Sequence, residues 1–166
     1  MQTSKENMIL LGIDPGTATT GFGIIDARNP KKLIPIHYGQ IRTSKNDLMQ
    51  DRLLKIYNSI NHLIEEYSPD ALVIEQLFFN TNVKTAITVG QARGIYILSA
   101  GHYKLPVFEY TALQAKMELT GYGRADKKDV RKRVKELLNI HGDIKPIDAS
   151  DALAIAICHS LKLNKK

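Results

Sequence analysis

The sequence holds a single cysteine, Cys158, so no intrachain disulfide framework can staple the chain, and a reducing cytosol suits it. No apolar run approaches the length of a membrane span. Met1–Asn7 is polar and carries both signs of charge, so it does not read as a signal peptide; a loose extension is expected there. No low-complexity tract or internal repeat is visible. What is present is a chain of 166 residues with 43% hydrophobic content, enough to bury a full core as one domain over residues 1–166. The net charge of +6 and a pI near 9.4 favour a polyanionic partner.

The stretch Met8 to Ile25, MILLGIDPGTATTGFGII, organises the rest. Met8–Ile13 is a short apolar run of the kind a buried strand needs. Asp14 falls where that strand ends, and Pro15-Gly16 is a turn dipeptide. A carboxylate there is costly unless a cation, a charge partner or several donors meet it. The plainer alternative is that Asp14 accepts N–H bonds within its own turn. Thr20 to Ile25 reads as a second strand, and Leu33 to Ile41 returns as a third after the polar turn Ala27–Lys32. Connections this short predict an antiparallel meander.

Asn46 or Asp47 is expected to cap a helix running to Tyr67, with Leu53, Ile56, Tyr57, Ile60, Leu63, Ile64 and Tyr67 along one face. Ala71–Ile74 is a fourth apolar strand, and it too ends in an acid, Glu75. A strand, helix and strand in succession predict a right-handed parallel crossover. If the first and fourth strands are neighbours, about 4.8 Å apart, Asp14 and Glu75 share one sheet edge and can share one ion. Open α/β sheets place ligands at that edge.

Phe78-Phe79 stands in the loop that follows. A second helix is expected over Val83–Tyr103, with Ala86, Gly90, Gly94, Ile97 and Gly101 near one face. Each glycine costs about 1 kcal/mol against alanine in a helix, so tight packing must offset it. That packing is either contact with the sheet or a helix–helix dimer interface. Pro106–Glu109 reads as a fifth strand, and Thr111 caps a helix over Ala112–Leu119 that carries Lys116. Ala125–Ile140 reads as a further helix containing KKDVRKRVKELL. There Val130, Val134, Leu137 and Leu138 form a buried stripe. Lys127, Lys128, Arg131, Lys132 and Lys135 form a basic side, either solvated or in contact with phosphate. The last helix begins near Pro146-Ile147 and is small or apolar almost all round. Asp148 and Asp151, three apart, share a face. The helix dipole alone can account for Asp148; Asp151, entering the apolar part, is harder to dismiss.

Asp14, Glu75, Asp148 and Asp151 thus make a set of hard oxygen ligands whose repulsion two divalent ions would relieve. Such ions, about 3.5–4 Å apart, can activate water and stabilise a leaving oxygen at a phosphodiester. GIDPGTATTGFG, VIEQLFF, VGQARG and DASDALAIAICH resemble, in order and approximate spacing from Met8 to His159, the RuvC Holliday-junction resolvases of the RNase H-like superfamily. The resemblance implies an α/β fold, a mixed five-stranded sheet flanked by helices. It implies a magnesium-dependent endonuclease that nicks two strands of a four-way DNA junction symmetrically, in recombination and repair, leaving a 5′-phosphate and a 3′-hydroxyl. Asp14, Glu75, Asp148 and Asp151 then match the family's acidic positions, with Asp14 bridging two magnesium ions for which manganese can substitute. Lys116 and Lys127 match basic positions tied to DNA contact and cleavage, Phe78 matches an aromatic that stacks near the crossover, and Lys132 and Lys135 are expected on phosphate. A cytoplasmic homodimer follows, with the branch-migration proteins RuvA and RuvB as implied partners.

Other readings start from the same residues. Asp-x-Gly-Thr before a second strand also resembles the phosphate loop of actin-like ATPases and sugar kinases. Those folds need duplicated domains and a second phosphate loop, and neither is here. An RNase H-type nuclease acting on RNA–DNA hybrids is not excluded by composition. A basic junction-binding protein with an idle site is disfavoured, since a binder gains nothing from clustered negative charge facing DNA.

Overall fold

The apolar runs at the start of the chain pair with one another. In the computed structural model, which describes residues 8–77 and 82–165, β1 (Ile9–Asp14), β2 (Thr19–Asp26) and β3 (Ile34–Arg42) form the antiparallel meander. α1 (Met49–Tyr67) crosses one face, and β4 (Ala71–Gln76) returns parallel to β1. α2 (Val83–His102) leads to β5 (Val107–Thr111), parallel to β4. The result is the expected mixed sheet of five strands, ordered β3-β2-β1-β4-β5. α3 (Ala112–Thr120), α4 (Lys127–Leu137) and α5 (Ile147–Asn164) complete the described elements.

Side chains alternate across the strands and so divide the core in two. Leu10 and Val73 point to the face covered by α3, α4 and α5. Leu11, Ile13, Leu72 and Ile74 point to the face covered by α1 and α2. Each such side chain, fully buried, contributes roughly 1.5–3 kcal/mol. The expected last helix is α5, which is buried nearly all round. It lies flush on the sheet because β1 is bare where the two cross: a Cβ on Gly12 would stand 2.1 Å from the carbonyl oxygen of Ala152.

Several element ends differ from expectation. Neither Asn46 nor Asp47 caps α1; Leu48 holds that position with no side-chain bond. Asn46 donates its N–H to Ser44 Oγ and Asp47 donates its N–H to the Ser44 carbonyl, so both serve a preceding turn. α4 starts at Lys127 and not Ala125, because Asp126 accepts the N–H of Asp129 and fixes the cap there. It stops at Leu137, with Asn139 in the left-handed region. Thr111 caps α3 as expected, in a reciprocal box with Gln114. For the helical glycines, sheet contact is excluded. Among the described residues a Cβ on Gly90, Gly94 or Gly101 would meet nothing within 4 Å, and α2 packs instead through Ala92, Tyr96, Ser99 and Ala100.

Candidate active site

The parallel pairing of β1 with β4 runs to Ile13 opposite Ile74. The next residues on each strand, Asp14 and Glu75, therefore lie side by side at the sheet's C-terminal edge. Alternation turns both toward the α5 face. Their carboxyls are close enough for each to act on the other's charge. The first turns of α5 bring Asp148 and Asp151 to the same place. Asp14, Asp148 and Asp151 each offer a carboxylate oxygen, and these lie within 4.8 Å of one another. Glu75 joins through Asp14. All four line one open cleft of about 420 Å³.

Crowded acids repel, and the protonation of the site records it. Burial first, then the charges of Glu75, Asp151 and Asp148, push the Asp14 carboxyl up to about 8. Burial also raises Glu75, against the opposing pull of Lys127 and Lys116. It raises Asp151, against Lys127 and Arg131. Half-buried carboxylates this close make a deficit of positive charge that a divalent cation removes. The donor set is all carboxylate oxygen, with no thiolate or imidazole, which suits magnesium or manganese better than zinc. The residues present therefore fit a hard divalent ion.

The expected basic residues divide. Lys116 of α3 and Lys127, the first residue of α4, line the acidic cleft. Lys132 and Lys135 do not. They border a separate groove with Lys128, Arg131 and His141, and the Lys135 ammonium stands 3.8 Å from Asp143. Phe78 lies outside the described residues. Helical spacing puts Arg131 on the basic side with the lysines, yet its guanidinium acts on Asp151; its position one helical turn from Lys127 is the signal that sets it apart. Tyr96 and Thr20, buried behind the turn that follows Asp14, carry no sequence signal of their own.

The sequence family described as Crossover junction endodeoxyribonuclease RuvC matches residues 10–159. A crossover junction endodeoxyribonuclease RuvC from Alkaliphilus oremlandii is 50% identical over 153 residues, 92% of this chain and 93% of that protein. Its counterpart from Caldicellulosiruptor saccharolyticus is 49% identical over 154 residues, 93% of each chain. Thermus thermophilus RuvC in complex with Holliday junction substrate superposes with a TM-score of 0.90 at 30% identity, covering 93% of this chain and 94% of that one. The yeast mitochondrial Holliday junction resolvase superposes at 0.66 with 14% identity over 94% of this chain and 79% of its own, a likeness of fold alone.

Proposed function

This chain belongs to the RuvC family of crossover junction endodeoxyribonucleases, and from that membership we propose that it resolves four-way DNA junctions by paired symmetric nicks in recombination and repair. The observation that carries the proposal is the meeting of Asp14, Asp148 and Asp151 within 4.8 Å, with Glu75, Lys116 and Lys127 on the same cleft. The fold is the RNase H-like mixed sheet, with the acids on its C-terminal edge.

Asp14, Glu75, Asp148 and Asp151 would hold two magnesium ions, for which manganese can substitute, and Asp14 is the acid that reaches the other three. Two such ions supply Lewis acidity at a phosphodiester and make a water acidic enough to attack it. The chain itself does the rest. Lys116 and Lys127 draw the scissile phosphate toward the acids and offset its charge. Lys132 and Lys135, on their own groove, grip phosphates further along an arm. Phe78 is assigned to stacking at the crossover through the family alone.

Paired nicks need two sites, and α2 offers a surface for a second copy. Gly90, Gly94 and Gly101 lie open on one face with Val83 and Ile87, which are 72% and 58% exposed. An apolar stripe with glycines at helical spacing suits close contact between two such helices. We therefore assign a homodimer through α2, with each protomer forming a single domain. Branch-migration proteins of the RuvA and RuvB kind are the further partners the family suggests. No helix among the described residues is long and apolar enough to cross a membrane, and the cytoplasm is the assigned location.

The test is incubation with labelled four-way junction, linear duplex and RNA–DNA hybrid, each with and without magnesium. Cutting of the junction alone, at symmetric positions and only with magnesium, is expected. Preferential cutting of the hybrid would overturn the substrate, and cutting in chelator would overturn the metal. A junction bound but never cut would leave a binding protein with an idle site.

A further inference from the structure

The turn that carries Asp14 out of β1 is held from behind. Gly16, two residues after Asp14, sits under the tip of Tyr96, which reaches up from α2 on the opposite face of the sheet and is fully buried. Thr20 Oγ1 donates to the Gly16 carbonyl at 2.7 Å and stands 2.7 Å from Tyr96 Oη. The Gly16 N–H points at Tyr96 Oη from 3.4 Å. A threonine hydroxyl has one proton. If it goes to Gly16, the phenol proton goes to Thr20, and the phenol oxygen accepts the Gly16 N–H. The N–H and the carbonyl of Gly16 are then both held by one small network. The same turn is fixed a second time, because Thr17 Oγ1 donates to the Thr88 carbonyl of α2 at 2.8 Å.

The hydrophobic face of the sheet does not itself call for a hydroxyl at this point. Tyr96 belongs to the apolar cluster that also holds Leu11, Ile13, Phe22 and Ile74, where phenylalanine would pack as well. A buried phenol is tolerated only when its O–H has a partner, and the partners here are the two residues that shape the Asp14 turn. We propose that Tyr96 is a positioning residue of the active site, which fixes the Asp14-Pro15-Gly16 turn through Gly16 and Thr20 and thereby aims the Asp14 carboxylate at its ion. The inference rests on Asp14 being a metal ligand. α2 then serves twice, since the helix assigned to the dimer also braces the turn of the metal site.

Groups that orient a ligand from behind typically contribute about tenfold or more in metal affinity. Tyr96→Phe keeps the ring and the packing and removes only the hydroxyl. Manganese binding to the folded protein, measured by calorimetry without DNA, is expected to weaken about tenfold. The magnesium concentration for half-maximal junction cutting should rise in the same ratio, while the rate at saturating magnesium returns close to wild type. Thr20→Val should reproduce the shift. The double variant should lose little more than either single one, because both act through one turn. Unchanged manganese affinity in folded Tyr96→Phe, beside a weakened Asp14→Asn control, overturns the inference alone. If Asp14→Asn also binds manganese like wild type, the ligand role of Asp14 falls and the inference falls with it. Fully additive losses in the double variant would deny the shared turn.

Discussion

Gly21 lies directly beneath Asp148: a Cβ built on it would stand 2.2 Å from the Asp148 carbonyl oxygen. Gly21 is also the residue paired with Asp14 across the β1–β2 ladder. One missing side chain therefore lets the first turn of α5 settle against β2, beside the end of the strand that carries Asp14. Gly21→Ala must push the α5 backbone away, since the clash is with a carbonyl and not with a side chain that can swing aside. Overpacking of this kind costs about 1–3 kcal/mol. The variant should melt several degrees lower and cut far more slowly even at saturating magnesium. An unchanged melting temperature would show that α5 does not need this close approach.

Asp14→Asn keeps the shape of the site and removes the acid that meets the other three. Cutting should fall by about a thousandfold or more, as expected when charge stabilisation in a transition state is withdrawn. Junction binding should persist, because it relies on basic residues and loses a repulsive carboxylate. Single-turnover cleavage with binding measured in parallel decides it. Near-wild-type cutting by the folded variant would remove the metal roles given to Glu75, Asp148 and Asp151.

Much of this site is legible in the sequence because each of its acids is tied to a local signal. Asp14 and Glu75 each end an apolar run at a strand boundary, and the crossover rule makes those strands parallel; that they are neighbours is settled by the sheet itself. Asp148 and Asp151 are three apart at the head of an apolar helix. The bracing of the turn is not legible, since Gly16 and Tyr96 are 80 residues apart and their meeting depends on how α2 rotates against the sheet. Helical spacing likewise puts Lys127, Arg131, Lys132 and Lys135 on one basic side. It cannot say where the acidic cleft ends and the next groove begins, because that boundary is set by how α4 packs on α5.

The acids also set a pH dependence. The Asp14 carboxyl is pushed up to about 8, chiefly by burial, from an ordinary value of 3.8. Between those values the folded chain keeps a proton that the unfolded chain has released. The unfolded state then binds fewer protons, so stability falls as pH rises. Raised Glu75 and Asp151 act in the same direction. The metal-free protein should lose stability progressively from about pH 4 to about pH 8. A divalent ion competes with these protons, so magnesium should raise the melting temperature more at pH 8 than at pH 5. Equal magnesium shifts at the two pH values would mean that these acids do not hold the ion.

The two groups of lysines should separate by assay. Lys132→Ala and Lys135→Ala, on the groove away from the acids, should weaken junction binding and lower its salt slope by about one unit for each phosphate no longer neutralised. Lys116→Ala and Lys127→Ala, on the acidic cleft, should slow cutting more than they weaken binding. Equal binding losses for all four would erase the distinction between the two surfaces.

The open face of α2 gives a prediction whose two halves have opposite signs. Within one protomer a side chain at Gly94 has free space, since none of the described residues lies within 4 Å of its would-be Cβ. Helix propensity then favours Gly94→Ala over glycine by up to about 1 kcal/mol. If α2 meets a second α2, the same methyl group stands where two backbones approach, and Gly94→Leu there overpacks the interface. The isolated protomer should therefore be no less stable in either variant, while the dimer weakens, slightly for alanine and severely for leucine. Sedimentation across a concentration series reads the dimer, and melts at the lowest concentration read the protomer. A cut junction should then carry a single nick more often than paired nicks. A Gly94→Leu protein that stays dimeric and still nicks in pairs would move the interface off this helix.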